Sequence, residues 1–170
     1  EYLSGLAEML KIGLIGDATL VEIAEKNHGV IMERERDLMT DAVARTIKYK
    51  ASVVAEDEKE SGVRRVLNFG HTYGHPIEMS NNFQHGFAVA AGMELAIHLS
   101  FKKGLLDNKN KNRALKLLDQ YKIVPKYEIS EEKMMELISR DKKKSGNGIH
   151  FVLIEDIGKP IIEKISIDEL

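Results

Sequence analysis

The sequence predicts a mainly α, multihelical domain with a short β-hairpin near its C-terminus. Three observations carry this. Apolar residues recur at three- and four-residue spacing through most of the chain. The stretch Val30–Glu56 runs without glycine or proline. Only beyond Gly148 does the pattern change to strand-like alternation.

The elements follow in order. Leu3, Leu6, Met9 and Leu10 share one side of a helix over 3–12. A second helix is predicted from Ala18 to Lys26, entered through "GDAT" and left through "NHG". Ile31, Leu38, Ala42, Val43, Ile47, Ala51 and Val54 predict one long helix over 30–56, which "EDEKESG" ends. A helix over 70–80 carries "GHTYGHPIEMS", where Pro76 lacks a backbone donor and predicts a kink or a late start. The loop "NNFQHG" leads to a helix over 85–103, rich at first in small residues that favour close packing. Helices over 107–121 and 130–142 complete the set, the last with Ser130 at its start and Glu131 and Glu132 in its first turn. "GIHFVLI" and "KPIIEKISI", joined by "EDIG", read as the two strands of the hairpin.

At 170 residues the chain suits one domain with a sizeable core. Its 25 basic residues stand against 27 acidic ones, a formal charge of −2, which gives no electrostatic case for nucleic acid or an acidic membrane surface. No apolar run approaches the ~18 residues needed to cross a bilayer. There is no cysteine, so any metal must be held by His, Asp or Glu. No GxGxxG, GxxxxGK[ST] or GxSxG motif is present. The plain expectation is a cytoplasmic protein. The chain opens on Glu1, already within an amphipathic pattern, and is expected to be a piece of something longer.

The densest concentration of reactive side chains surrounds "LNFGHTYGHPIE". His71 and His75, four residues apart, share one helix face, a spacing that suits either a metal or catalytic site or a polar turn. His85 follows a loop and can fold back on them. His28, His98 and His150 have no such company and read as surface or core residues. Glu8 sits among Leu and Met, so if it faces the core it needs a partner, either a metal or Lys11; otherwise it faces solvent. Lys50, Glu60, Arg64, Arg65 and Asn68 add a polar cluster in which the arginine fork suits phosphate or carboxylate.

"GLAEMLKIGLIGD", "ESGVRRVLNFGHTYGHPIE", "HGFAVAAGM" and "DKK" followed by "GIHFVLIEDIG" occur in this order. Together they resemble the C-terminal half of the 3-dehydroquinate synthase family, among the sugar-phosphate cyclases, over nearly the whole chain. The resemblance implies that residues 1–170 are the metal- and substrate-binding C-terminal domain, and that the family's N-terminal NAD-binding domain is absent from this chain. It implies Zn2+ or Co2+ on Glu8, His71 and His85, with NAD+ bound mainly by the missing domain. It places His75 as the catalytic histidine, with Glu60, Arg64 and Asn68 in the catalytic network. Lys11, Lys50, Arg64, Asn68, His75 and Lys142, or Lys143 beside it, become substrate contacts.

The activity implied is conversion of 3-deoxy-D-arabino-heptulosonate 7-phosphate to 3-dehydroquinate and phosphate, in the shikimate pathway of aromatic amino acid biosynthesis. NAD+ oxidises a ring hydroxyl and so acidifies the neighbouring C–H. Phosphate leaves by β-elimination, the carbonyl is reduced back, the ring opens, and an intramolecular aldol step closes the carbocycle. A divalent metal would stabilise the alkoxide, cations would hold the phosphate, and an imidazole relays protons near pH 7. The family implies a homodimer when intact, a sugar phosphate as the small-molecule partner, and a fragment that is inactive alone. Phe87 stands where the family usually has an acidic residue, and Pro76 where alanine is commoner. Two competing readings are a related cyclase of the inosose or valiolone type and a non-enzymatic metal-binding helical domain.

Overall fold

The computed structural model describes residues 1–59, 62–145 and 148–166, with the backbone alone for 140–145. The order is α1 (Tyr2–Ile15), α2 (Ala18–Lys26), α3 (His28–Met32), α4 (Arg36–Glu56), a 3-10 turn (Val63–Asn68), α5 (His71–Asn81), α6 (His85–Lys102), α7 (Asn108–Gln120), α8 (Glu131–Ser145), β1 (Ile149–Asp156) and β2 (Lys159–Ile165). The mainly α class and the closing hairpin are as the sequence predicts.

Helix α1 is hydrophobic nearly all round in its second half, where every residue from Met9 to Ile15 is buried. It therefore runs on to Ile15, beyond the predicted end at residue 12, through the middle of the core. Helix α6 is its partner. Gly86, Ala88, Val89, Ala90, Ala91, Gly92 and Met93 are all buried, and α6 packs against α1, α5, α7 and β1.

The predicted single helix over 30–56 is two helices. The break falls at Glu33–Glu35, with Arg34 in the left-handed region at φ 61°. Neither glycine nor proline makes it. Glu35 turns its carboxylate onto the start of α4, accepting from the Asp37 N–H at 3.0 Å and the Leu38 N–H at 2.8 Å. That cap satisfies donors an unbroken helix would have bonded internally. The Arg34 guanidinium lies over the Tyr2 ring, 4.7 Å from its centroid. The sequence also gave no sign of the 3-10 turn at 63–68, which is tied back by Asp57 Oδ2 accepting from the Gly62 and Arg64 N–H groups.

Helix α5 starts at His71 and passes through Pro76, which is buried. Gly70, at φ 80°, precedes it. The close approach of α5 to α6 requires glycine on both sides. A Cβ at Gly92 would lie 1.8 Å from the Gly70 carbonyl oxygen, and one at Gly74 would lie 3.0 Å from the Ala88 carbonyl oxygen. The small residues at the start of α6 thus bring two backbones into contact, and with them the histidines at the head of each helix.

The hairpin pairs antiparallel, Ile149 with Ile165 through Ile154 with Pro160, and is irregular before Asp156. Phe151, Val152, Leu153 and Ile154 are all buried, so β1 does not alternate as predicted; helices α1, α6 and α8 all touch it. The Ile154 N–H donates to buried Ser100 Oγ at 3.1 Å, which fixes the strand to α6.

Candidate metal and substrate site

Three segments distant in sequence meet where α1, α5 and α6 converge. Glu8 comes from the middle of α1, and His71 and His85 are the first residues of α5 and α6. One ligand atom from each lies within 4.8 Å of the others. Gly86 sets the approach of α6 to α1. Its N–H donates to Ser4 Oγ at 2.9 Å, and a Cβ there would lie 2.2 Å from the Ser4 carbonyl oxygen.

Both imidazoles are oriented by acceptors behind them. His71 Nδ1 is 3.1 Å from the Phe69 carbonyl oxygen, and His85 Nδ1 is 3.1 Å from Glu78 Oε2. A carbonyl or carboxylate oxygen only accepts, so each Nδ1 carries a proton and Nε2 is the nitrogen left to face a ligand. Burial, with the Lys11 charge beside it, pushes the His71 pKa down to about 4, which keeps that ring neutral at physiological pH.

Glu8 is bonded to two ammonium groups. Lys11 Nζ donates to Oε1 at 2.9 Å and Lys50 Nζ to Oε2 at 2.7 Å. Burial works to raise the Glu8 pKa, but the Lys11 charge and the bonds from Lys50 and Lys11 outweigh it and hold it at about 2. Lys11 is 3% exposed at its side chain. Burial draws its pKa below the ordinary lysine range against the pull of Glu8. Of the readings the sequence left open for Glu8, the solvent-facing one is excluded: it is partnered, and by Lys50 as well as Lys11.

The donor set fits a divalent ion of the Zn2+ or Co2+ kind. Two imidazoles with one carboxylate are a ligand set that Zn2+ takes, and a carboxylate has about four lone-pair sites, so the lysine bonds leave room for a further partner. Metal–ligand lengths of ~2.0–2.2 Å put tetrahedral donors about 3.4 Å apart.

The other expected site residues fall into three groups. His75 joins the cluster, its ring centroid 5.4 Å from that of His71 and 6.3 Å from that of His85, and it is exposed. Arg64 and Asn68 stand on the 3-10 turn leading into Gly70, where the Arg64 guanidinium donates to the Glu58 carbonyl at 2.8 Å. Glu60 and the side chains of Lys142 and Lys143 lie outside the described residues. His28 packs on Tyr121, His98 is exposed and His150 is half-buried on β1, none of them in the cluster. Phe87 packs against the core, and Glu78 supplies the carboxylate behind His85. Glu78 was not assigned a role from sequence, although its place seven residues after His71, on the same helix face, was the signal available.

A helical domain that gathers two imidazoles and a carboxylate beside paired lysines defines a candidate mononuclear metal centre. The profile of the 3-dehydroquinate synthase C-terminal region matches residues 5–144, and the chain belongs to that family. It is 38% identical over 165 residues to a 3-dehydroquinate synthase of Dehalococcoides mccartyi (strain ATCC BAA-2266 / KCTC 15142 / 195), covering 95% of this chain and 46% of that protein. With the 3-dehydroquinate synthase of Nitrosospira multiformis the identity is 37% over 166 residues, covering 95% and 45%. The chain thus spans about half the length of the curated relatives it matches.

Among solved structures, the fold is similar to that of 2-epi-5-epi-valiolone synthase from Streptomyces hygroscopicus subsp. jinggangensis, determined with NAD+ and Zn2+ bound. The TM-score is 0.89 at 24% identity, over 99% of this chain and 48% of that one. It is also similar to a 2-deoxy-scyllo-inosose synthase complexed with carbaglucose-6-phosphate, NAD+ and Co2+, with a TM-score of 0.76 at 20% identity, over 98% and 49%. At these identities the likeness establishes the fold. Among the described residues, no helix is long and apolar enough to cross a membrane.

Proposed function

We propose that this chain is the metal- and substrate-binding domain of a 3-dehydroquinate synthase. In this reading it works with an N-terminal NAD-binding domain to convert 3-deoxy-D-arabino-heptulosonate 7-phosphate to 3-dehydroquinate and phosphate. The observation that carries the reading is the convergence of Glu8, His71 and His85 beside Lys11 and Lys50, in a chain 38% identical to a protein of that name.

Glu8, His71 and His85 would hold Zn2+ or Co2+, and the bound ion would supply Lewis acidity at a ring hydroxyl while NAD+ would accept and return a hydride. This chain's own residues do the rest. The Phe69 carbonyl and Glu78 keep the two imidazoles in the ligating tautomer. Lys11 and Lys50 keep Glu8 ionised and place two positive charges where a hydroxylated, phosphorylated ligand is received. His75, exposed and one turn from His71, is free to take and return a proton at the substrate. Arg64 and Asn68 are assigned to the substrate's polar groups, and Glu60 and Lys142 keep the roles their motifs imply.

The test is an assay of the longer polypeptide containing this region, with NAD+ and Zn2+ or Co2+, on the heptulosonate phosphate, sedoheptulose 7-phosphate and glucose 6-phosphate. Phosphate release from the first alone is expected, with none from the 170-residue chain by itself. Turnover of the latter two only would assign the chain to the valiolone or inosose branch. Metal analysis of wild type beside Glu8→Ala and His71→Ala tests the ligand set separately; equal metal content in all three would remove it.

A further inference from the structure

Helix α4 has a second apolar face that nothing among the described residues covers. Ala42 and Val53 are buried, with Leu38 and Tyr49 packed beside them against the core. On the opposite side Thr40, Val43, Ala44, Ile47, Ala51 and Val54 recur at three- and four-residue spacing. Val54 is half-buried and the others are exposed, Val43 at 47% and Ile47 at 61%. The stripe runs ~21 Å at 1.5 Å per residue. Two more exposed apolar side chains, Val30 and Met32, lie on α3 just before it. Beside it, between α4 and the α1–α2 turn, lies a groove of about 560 Å3 lined by charged residues of both signs, among them Asp17, Asp41, Arg45 and Lys48. An apolar centre with a polar rim is the anatomy of a docking surface.

Three observations identify what docks there. The first is where α1 starts: the Tyr2 hydroxyl bonds the Ile31 carbonyl and lies 3.4 Å from Met39 Sδ, which sets the first turn of α1 against α3 and the first turn of α4. A preceding half would join the chain at that end of α4. The second is length. The curated relatives are about twice as long as this chain, and the matching family is their C-terminal region, so their remaining half precedes it. The third is position. Lys50 lies on the edge of the stripe and reaches Glu8 at 2.7 Å, so whatever covers α4 also borders the candidate metal centre.

We infer that the Thr40–Val54 face of α4 is the seat of the N-terminal half of the full-length protein, and that seating it there walls the centre on the Lys50 side. This rests on the two-domain reading above.

The absence of cysteine from the chain makes the test direct. Val43→Cys and Ile47→Cys are made singly, with exposed Asn112→Cys on α7 as control, in the 170-residue chain and in the longer polypeptide of the same reading frame. Any cysteines of the added half are first replaced, and maleimide labelling rates are compared. All three positions should label at similar rates in the short chain. In the long one, positions 43 and 47 should slow by about tenfold or more, with position 112 unchanged. Equal rates at 43 and 47 in both lengths would overturn the inference. So would protection in the short chain that grows with its own concentration, which would give the face to a second copy. Labelling needs no turnover: protection in a polypeptide that fails the substrate assay removes the proposed activity and keeps the docking face, and an active polypeptide without protection does the reverse. As a second readout, Ile47→Glu should leave the melting temperature of the short chain unchanged and lower that of the long one by several degrees; no change in the long one counts against the inference.

Discussion

The Glu78 carboxylate stands 3.1 Å behind His85 Nδ1, two turns along α5 from His71, so one helix supplies both a candidate ligand and the group that orients another. Glu78→Gln keeps the shape but offers an uncharged amide in place of the carboxylate. Outer partners of this kind are worth roughly 10–100-fold in metal affinity. The expected result is a weakening in that range, measured by competition with a chromophoric chelator, with the circular dichroism spectrum unchanged. Unaltered affinity would mean that His85 is oriented by something other than Glu78, or is not a ligand.

The α5–α6 contact predicts opposite outcomes for two glycine-to-alanine changes. At Gly92 the new methyl would meet the Gly70 carbonyl oxygen at 1.8 Å, backbone against backbone, and the helices must separate. The expected cost is about 3 kcal/mol or more in urea unfolding, at or beyond the upper end of ordinary overpacking. Because the shift moves His71 relative to His85, metal affinity should fall with stability. At Gly5, inside α1 and exposed, a Cβ meets nothing within 4 Å. Gly5→Ala should therefore be neutral or stabilise by about 0.5–1 kcal/mol through helix propensity alone.

Tyr121 sets an alkaline limit. Its ring is buried at 1% exposure and its hydroxyl donates to the Ala24 carbonyl at 2.9 Å. Burial, with Tyr2 adding a smaller effect, pushes its pKa up to about 12 from a usual value near 10. The folded state thus holds this proton more tightly than the unfolded one. The associated stability is fully present below pH 10 and is lost as pH rises through 12. The loss is of order 2–3 kcal/mol at ~1.4 kcal/mol per pH unit. Tyr121→Phe should cost about 1 kcal/mol at neutral pH through the missing hydrogen bond and flatten this part of the stability–pH curve. An unchanged alkaline slope in the variant would assign the loss to other groups.

What the sequence disclosed and what it hid divide along physical lines. Helices α2, α5, α6 and α7 were placed to within a residue or two, because their apolar spacing and terminal residues agree. The division of α3 from α4 was hidden because its agent is a glutamate capping from Glu35, a residue with no strong claim to that position. The burial of β1 was hidden because four consecutive apolar residues, Phe151 to Ile154, are compatible with a strand covered on both faces as well as with alternation. Glu8, His71 and His85 were named through a resemblance, since no periodicity joins residues 8, 71 and 85. The Lys50–Glu8 bond was out of reach, because it depends on how two helices cross.

Lys11 is the most deeply buried charge described in the chain, and Glu8 is what makes it tolerable. In metal-free protein Glu8→Gln leaves Lys11, 3% exposed, facing an uncharged amide, with Lys50 adding repulsion. Breaking a buried pair in this way costs about 3–5 kcal/mol. Lys11→Met is a milder change, since Glu8 retains the 2.7 Å bond to Lys50 and is itself 23% exposed. The double variant Glu8→Gln with Lys11→Met buries neither charge, so it should be more stable than Glu8→Gln alone. The two single costs then sum to more than the double, with a coupling of order 1–3 kcal/mol. Urea unfolding of all four proteins in excess chelator measures this directly. Additive costs would mean that Lys11 is solvated or paired elsewhere, and that Glu8 does not hold it in place.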